Sequence, residues 1–366
     1  MPAALACAVA LAACSSAPAG STPDVTPDAG MAGAPGGAPG VGGAPGGGIA
    51  GSPGATFNTQ GITCTPQMWD PAPSGWATQG GATTGGGSAA PVTVTTLAAL
   101  NSAVGGAQPA VVYVSGKIAG SVTVGQNKTI FGLCGAEIDG HVQLGSSRNV
   151  IIRNLKVIGL NCTDTTDCQM GADAVTIEGG AQHVWIDHCD ISDGSDGNLD
   201  ITQASDYVTV SWSTFYYSGR RSLGHQFSNL IGSSDTATGD MGHLRVTWHH
   251  DWWGPNVGER QPRVRFGQVH IYNSLYTSSG DNYCVGVGVF ANILTENNAF
   301  LNVSDPIDSI DYSNPDSIVV SHGNLYQGGG GQRADKGTAV FAPPYAYALD
   351  DAAGIELVVR AGAGVR

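Results

Sequence analysis

Seven short segments with the same internal alternation recur between residues 149 and 322, and they constrain the fold more than any other feature. They are Asn149–Asn154, His183–His188, Tyr207–Trp212, His243–Trp248, Gln268–Asn273, Asn292–Asn297 and Ser317–His322. Apolar and polar residues alternate within each, the period of a strand with one buried face. Their second residues (Val150, Val184, Val208, Leu244, Val269, Ile293, Ile318) step by 34, 24, 36, 25, 24 and 25. A basic period of 24–25 residues with two longer intervals describes a solenoid whose coils carry insertions. Each segment ends on Asn, His or Trp, and an aliphatic or aromatic residue usually follows three positions on: Val157, Ile191, Phe215, Tyr276, Phe300, Leu325. Asn at such a corner suits left-handed backbone and side-chain stacking from coil to coil.

Helices between the strands are missing, which argues against a doubly wound α/β sheet. Only Thr96 to Val104 reads as a short helix, with Thr95 or Thr96 as its N-cap. The pattern predicts an all-β chain, a right-handed single-stranded parallel β-helix with loop insertions on one face. Its two long intervals, 151–183 and 209–243, are expected to flank a binding groove.

The N-terminal part has a different composition. Residues 1–55 contain no Lys or Arg. Residues 1–14 hold an apolar stretch too short to span a bilayer and end in Leu11-Ala12-Ala13-Cys14, which resembles a bacterial lipobox. A signal segment with a lipid anchor on Cys14 is the expectation. Residues 15–60, rich in Gly, Ala and Pro, form an expected disordered linker, and residues 61–366 the folded domain. The chain is therefore expected outside the cell, secreted or held as an outer-membrane lipoprotein. Disulfides are permitted there, and Cys162 and Cys168, bracketing a short polar loop, are the expected pair. No Cys-x-x-Cys pair suggests zinc.

The sequence carries 15 Lys and Arg against 29 Asp and Glu, a formal net charge of −14, so no nucleic-acid partner is expected. Against that background, Arg260, Arg263 and Arg265 fall within six residues. Such a concentration points to a held anion, although surface arginines answering nearby carboxylates would look the same. Asp196 and Asp200 are four residues apart, so an extended backbone would aim both the same way. Asp173 lies one coil earlier. Carboxylates brought together without a cation would force one to stay protonated. Ca²⁺, which takes roughly 6–8 oxygen ligands, resolves that conflict, although Asp-Gly steps are also ordinary turn residues.

Several longer runs together resemble the extracellular pectate lyases of polysaccharide lyase family one. They are Val184-Trp-Ile-Asp-His188, Asp196-Gly-x-x-Asp200, Leu230-Ile-Gly-Ser-Ser-Asp235, Val246-Thr-Trp-His-His250 and Arg260 to Asn273. The likeness extends over nearly all of 61–366. It implies a β-helix, Ca²⁺ dependence and β-elimination on polygalacturonate by a monomeric enzyme. It places Asp173, Asp196 and Asp200 where family members carry Ca²⁺ ligands, Arg260 at the proton-abstracting base and Arg265 at a substrate carboxylate. Gly171 stands where some members have a further acidic ligand. The family's substrate-binding lysine has no clear counterpart here, and Arg220 or Arg221 is expected to serve instead. Arg263 reads as structural.

Three other activities fit the sequence less well. A pectin lyase acting on methyl-esterified chains would not need the three aspartates. A β-helix hydrolase would need an acid and a base carboxylate and no arginine base. A non-catalytic envelope protein holding polygalacturonate through Ca²⁺ would not need Arg260. His188 and His322 are expected to stack as corner residues, with a smaller expectation of function at His249 and His250.

Overall fold

The structure is a computed structural model. It describes residues 72–160, 173–219, 225–309, 316–333 and 335–366, together with the short antiparallel pair Asn58–Thr59 and Ile62–Thr63. The expected pair Cys162 and Cys168 lies outside the described residues. Cys134 is disulfide-bonded, whereas Cys189 and Cys284 are buried free thiols.

Within the unit Pro53–Arg366, three parallel sheets of ten, nine and eight strands are stacked coil on coil, each strand pairing with its counterpart in the next coil. This is a right-handed parallel β-helix. The ten-stranded sheet contains the recurring segments, as Arg148–Arg153, Gln182–Asp187, Asp206–Ser211, Arg245–His249, Gln268–Tyr272, Asn292–Glu296 and Ile318–His322. Their inward residues form one continuous core that includes Val150, Val184, Val208, Val246, Val269, Ile293 and Val319.

Two coils depart from the sequence-based register. Ile293 pairs with Val319 rather than Ile318, so the last segment runs one residue later than expected. The other shift occurs one coil after Val208. Val208 pairs with Val246, so Leu244 is not its equivalent. Leu244 instead has left-handed backbone, φ 58°, like Tyr207 and His183 at the starts of their segments. The corner in that coil is His250 rather than Trp248, two residues on, and the apolar residue three beyond it is Trp253. Corner residues Asn154, His188, Trp212, His250, Asn273 and Asn297 all have positive φ. The coil-to-coil polar stacking falls one residue after the corner. There Ser213 N–H donates to Asp251 Oδ1 (2.8 Å), Ser274 N–H to Asn298 Oδ1 (2.9 Å) and Asn298 N–H to Asn324 Oδ1 (2.8 Å).

Inside the nine-stranded sheet, Phe215, Trp253, Tyr276, Phe300 and Tyr326 stack in file at 5.7, 4.7, 4.3 and 5.2 Å between ring centroids. Tyr326 rather than Leu325 continues the file, because Phe300 pairs with Tyr326.

Helix α1, Leu97–Val104, starts where expected: Thr96 Oγ1 accepts the Ala99 N–H at 3.3 Å. Its buried Leu100 and Val104 join the core beside the first strands and cover apolar residues that have no preceding coil to meet. Helix α2, Ile355–Gly362, was not foreseen; Ile355 and Val359 pack on Leu275, Ala299 and Leu301. The segment around it runs back along the corners. Asn297 Nδ2 donates to Asp350 O (2.6 Å), Asn273 Oδ1 accepts Asp350 N–H (3.0 Å), Gly364 N–H donates to Trp212 O (2.8 Å) and Arg366 N–H donates to Asn154 Oδ1 (2.6 Å).

Candidate active site on the eight-stranded sheet

Residues of the eight-stranded sheet alternate between the core and an outer row. Val142, Ile177, Ile201, Ile231, Val264 and Val287 point inward and are almost fully buried. Strand register sets the outer row, coil by coil, as Thr123, Gln143, Thr176, Asp200, Leu230, Arg263, Gly286 and Asp308. The chemistry gathers along this row.

Asp200 belongs to the strand Leu199–Ile201, and Asp173 lies just before Val175–Glu178 in the preceding coil. Both carboxylates are buried, and they close on Gly197 from two sides. A Cβ on that glycine would sit 2.7 Å from Asp200 Oδ1 and 3.0 Å from Asp173 Oδ1. Leu230 N–H donates to Asp200 Oδ1 (2.9 Å), and Thr176 Oγ1 donates to Asp173 Oδ2 (2.9 Å). Asp173 Oδ1 is buried with no hydrogen-bond partner. Burial, and then the charge of Asp200, pushes the Asp173 carboxyl well above its usual range; burial pushes Asp200 up to about 7. Each carboxylate is costly to ionise beside the other without a cation.

Asp196 is arranged differently. Residues 194–198 form a bend in which Gly194 N–H donates to Asn198 Oδ1 (3.2 Å), so the backbone is not extended from 196 to 200. The Asp196 side chain is 47% exposed, and its Oδ1 lies 3.1 Å from His225 Nε2, a hydrogen bond that holds its carboxyl below the usual range. Among the described residues no three His, Cys, Asp or Glu side chains are already gathered for a metal ion. Two of the expected three sit together, and the third faces His225.

Arg260 adopts left-handed backbone, φ 60°, a conformation that costs a non-glycine residue free energy and so implies firm local support. That support is visible: Asn229 N–H donates to Arg260 O (2.7 Å), and Gln261 N–H donates to Cys284 O (2.8 Å). The guanidinium lies over Phe227, with Cζ 4.5 Å from the ring centroid. Its Nε is buried without a partner, and its charge acts on Asp173, Asp196 and Asp200 alike. Arg265 is committed: Nε lies 2.5 Å from Asp235 Oδ1 and Nη1 donates to Gly232 O (2.9 Å). Arg220 and Arg221 lie outside the described residues.

The pectate lyase family model matches residues 61–354. The chain belongs to the pectate lyase family. It is 38% identical over 269 residues to the probable pectate lyase B of Aspergillus flavus, covering 69% of this chain and 76% of that protein. It is 32% identical over 315 residues to a pectate trisaccharide-lyase of Bacillus licheniformis, covering 80% and 85%. Among solved structures, the thermostable pectate lyase PL 47 matches at a TM-score of 0.63 and 27% identity, over 80% of this chain and 96% of that one. The fold is also shared with a Bacillus sp. N165 pectate lyase in complex with trigalacturonate (TM-score 0.68, 23% identity, 80% and 99% covered). The protein is thus a polysaccharide lyase.

Several residues of this candidate site escaped the sequence reading. Gly197 lies against both buried carboxylates, His225 holds Asp196, and Asp235 holds Arg265. Asp235 closes the quoted Leu230–Asp235 run, so its presence was visible although its partner, 30 residues away, was not. His188 and His250 sit at corners of the ten-stranded sheet, whereas His322, expected at a corner, pairs with Glu296 within its strand and Gly323 takes the corner instead. His188 stacks on Trp212 and Trp212 on His250, while His249 bonds Ser74 and His250. Arg263 finds no acidic partner within ion-pair distance among the described residues, which removes one of the structural roles expected for it.

Proposed function

We propose that this pectate lyase is Ca²⁺-dependent and cleaves α-1,4-linked polygalacturonate by β-elimination to unsaturated oligogalacturonides. The observation that carries the reading is the pair Asp173 and Asp200, buried together with one oxygen lacking any donor, next to the partnerless Nε of Arg260. An all-oxygen, carboxylate-rich donor set fits a hard cation such as Ca²⁺. Asp173 and Asp200 would hold the ion, with Asp196 joining from its place beside His225. Bound there, Ca²⁺ would supply positive charge that offsets the substrate carboxylate and so acidifies the adjacent C–H. A pectin lyase, whose methyl-esterified substrate carries no such charge, gains nothing from this buried pair.

Arg260 is the proposed base. It takes the proton from C5 of the uronate, the electron pair forms the C4–C5 double bond, and the C4–O bond breaks; the departing oxygen takes a proton from solvent. A guanidinium has a pKa above about 12, so the proton-accepting form is scarce at neutral pH and activity should peak on the alkaline side. Arg265 is the proposed carboxylate clamp. Asp235 and Gly232 O fix two of its nitrogens, leaving Nη2 for the substrate. Arg220 or Arg221 is proposed to add a further contact.

The protein is proposed to act as a monomer outside the cell, with residues 1–14 directing export, Cys14 as a lipid attachment point and residues 15–60 as spacer. The decisive assay follows the absorbance of unsaturated product on polygalacturonate with and without a chelator. Product in Ca²⁺ that vanishes on chelation supports the reading. New reducing ends without that absorbance would point to hydrolysis and sink it.

A further inference from the structure

We propose that Arg263 is a substrate-binding residue, recognising the carboxylate of a uronate beyond the one at the scission site and thereby setting how tightly the polymer is held. The inference rests on the polygalacturonate reading above and adds a residue to it. Arg263 lies in the same outer row as Asp200, two coils further along. At about 4.8 Å between neighbouring strands, that places the two backbones roughly 10 Å apart along the sheet. Leu230 separates them in the row, and its N–H is already given to Asp200.

The guanidinium is anomalous for a half-buried arginine. Its Nε is shielded from solvent and has no acceptor, and the side chain makes no ion pair or hydrogen bond among the described residues. Asp235 and Asp308 act on it only through space, with no carboxylate at ion-pair distance among the described residues. Asp235 is taken by Arg265, Glu259 accepts from Asn282 Nδ2 (2.7 Å), and Asp308 stands two coils further along the row without reaching ion-pair distance. Burial, followed by the charges of Arg265 and Arg260, lowers the pKa of Arg263, so the local field also favours an incoming anion. Leaving a buried charged donor unpaired is costly, and a carboxylate can take two parallel N–H bonds from one guanidinium. The next residue in the row is Gly286, which has no side chain to fill the space between Arg263 and Asp308.

Arg265 and Arg263 therefore differ in kind. The first is anchored by the protein's own carboxylate; the second stands in the outer row with no hydrogen bond or ion pair among the described residues.

The test compares wild type, Arg263→Met and Arg263→Lys in steady-state kinetics on polygalacturonate, with thermal unfolding measured alongside. Loss of a charge-assisted contact should raise KM about ten- to hundred-fold in Arg263→Met while kcat stays within about threefold. Arg263→Lys, which keeps charge without the planar fork, should fall between. Unchanged KM in Arg263→Met, or a fall in kcat alone, would overturn the proposal. Electrophoresis of the same proteins through gels containing polygalacturonate reads binding without catalysis. There the wild type should be retarded more than Arg263→Met, and equal retardation would overturn the proposal even if Arg263→Met proves unstable and only Arg263→Lys can be compared. Failure of the wild type to make unsaturated product would instead strike the lyase chemistry, and the gel comparison would still decide whether Arg263 binds the polyanion.

Discussion

Gly197→Ala is the most informative single substitution, because the geometry aims its effect at the paired carboxylates. Gly197 is absent from the positive-φ positions, so alanine meets no backbone penalty there. The new methyl would meet Asp200 Oδ1 at 2.7 Å and Asp173 Oδ1 at 3.0 Å, where ordinary contact begins near 3.4 Å. Relief requires shifts of about 0.7 and 0.4 Å. Neither carboxylate moves freely, since Asp200 Oδ1 holds Leu230 N–H and Asp173 Oδ2 holds Thr176 Oγ1. Splaying the pair should weaken Ca²⁺ binding by roughly 10–100-fold, the range typical of disturbed ligand support, or about 1.4–2.7 kcal/mol. Overpacking would add a destabilisation of about 1–3 kcal/mol. The assay is a Ca²⁺ titration of lyase activity. The midpoint should move to higher Ca²⁺ while the plateau recovers to near the wild-type kcat. A wild-type midpoint in a folded Gly197→Ala protein would refute the assignment of these carboxylates, and a plateau that never recovers would mean the damage is not to ion binding.

Three further outcomes are expected. Arg260→Lys should lower kcat about 10²–10⁴-fold with little change in KM or unfolding temperature, measured by product absorbance; near-normal turnover would remove Arg260 as base. Phe300→Ala, deleting a buried member of the ring file, should cost about 3–5 kcal/mol in denaturant unfolding. The protein should lose stability on acidification. Burial, aided by neighbouring histidines, holds His249 well below 6.5, and burial lowers His270. Both bind a proton less readily folded than unfolded, so their contribution is present above the unfolded value of about 6.5 and lost as pH falls below it. Unfolding midpoints between pH 8 and 5 measure this, and His249→Gln should flatten the slope.

The solenoid was legible because each coil repeats one alternation, and the inward positions cannot change without opening the core. Register was less so. Leu244 is apolar and precedes a strand, so it mimics the first inward residue, and only the pairing of Val208 with Val246 exposes the difference. Helix α2 is a short amphipathic segment, Ile355–Gly362, whose apolar stripe gains meaning only from the partners it meets on the nine-stranded sheet. At the site, the aspartates Asp173, Asp196 and Asp200 stood out as acidic residues on successive coils, and the roles expected of them and of Arg260 came from the family resemblance. The bend that turns Asp196 toward His225 was not legible, because four-residue spacing implies a common direction only if the backbone stays extended. The contrast between an occupied Arg265 and an unoccupied Arg263 depends on Asp235, which sequence proximity could not assign to either.

Coils in such a stack touch only their neighbours, so a solenoid can in principle melt from one end in steps. The segment that returns along the corners, from Asp350 against Asn273 and Asn297 to Arg366 against Asn154, joins coils that are otherwise remote. It acts as a tie rod. Loosening the coil of Asn154 then also releases a strand of contacts running to the far coils, and partial melting loses its advantage. Cutting the rod, for example by ending the chain before residue 363, should turn one sharp unfolding transition into a broader one, beginning in the coils that carry Asp173 and Asp200.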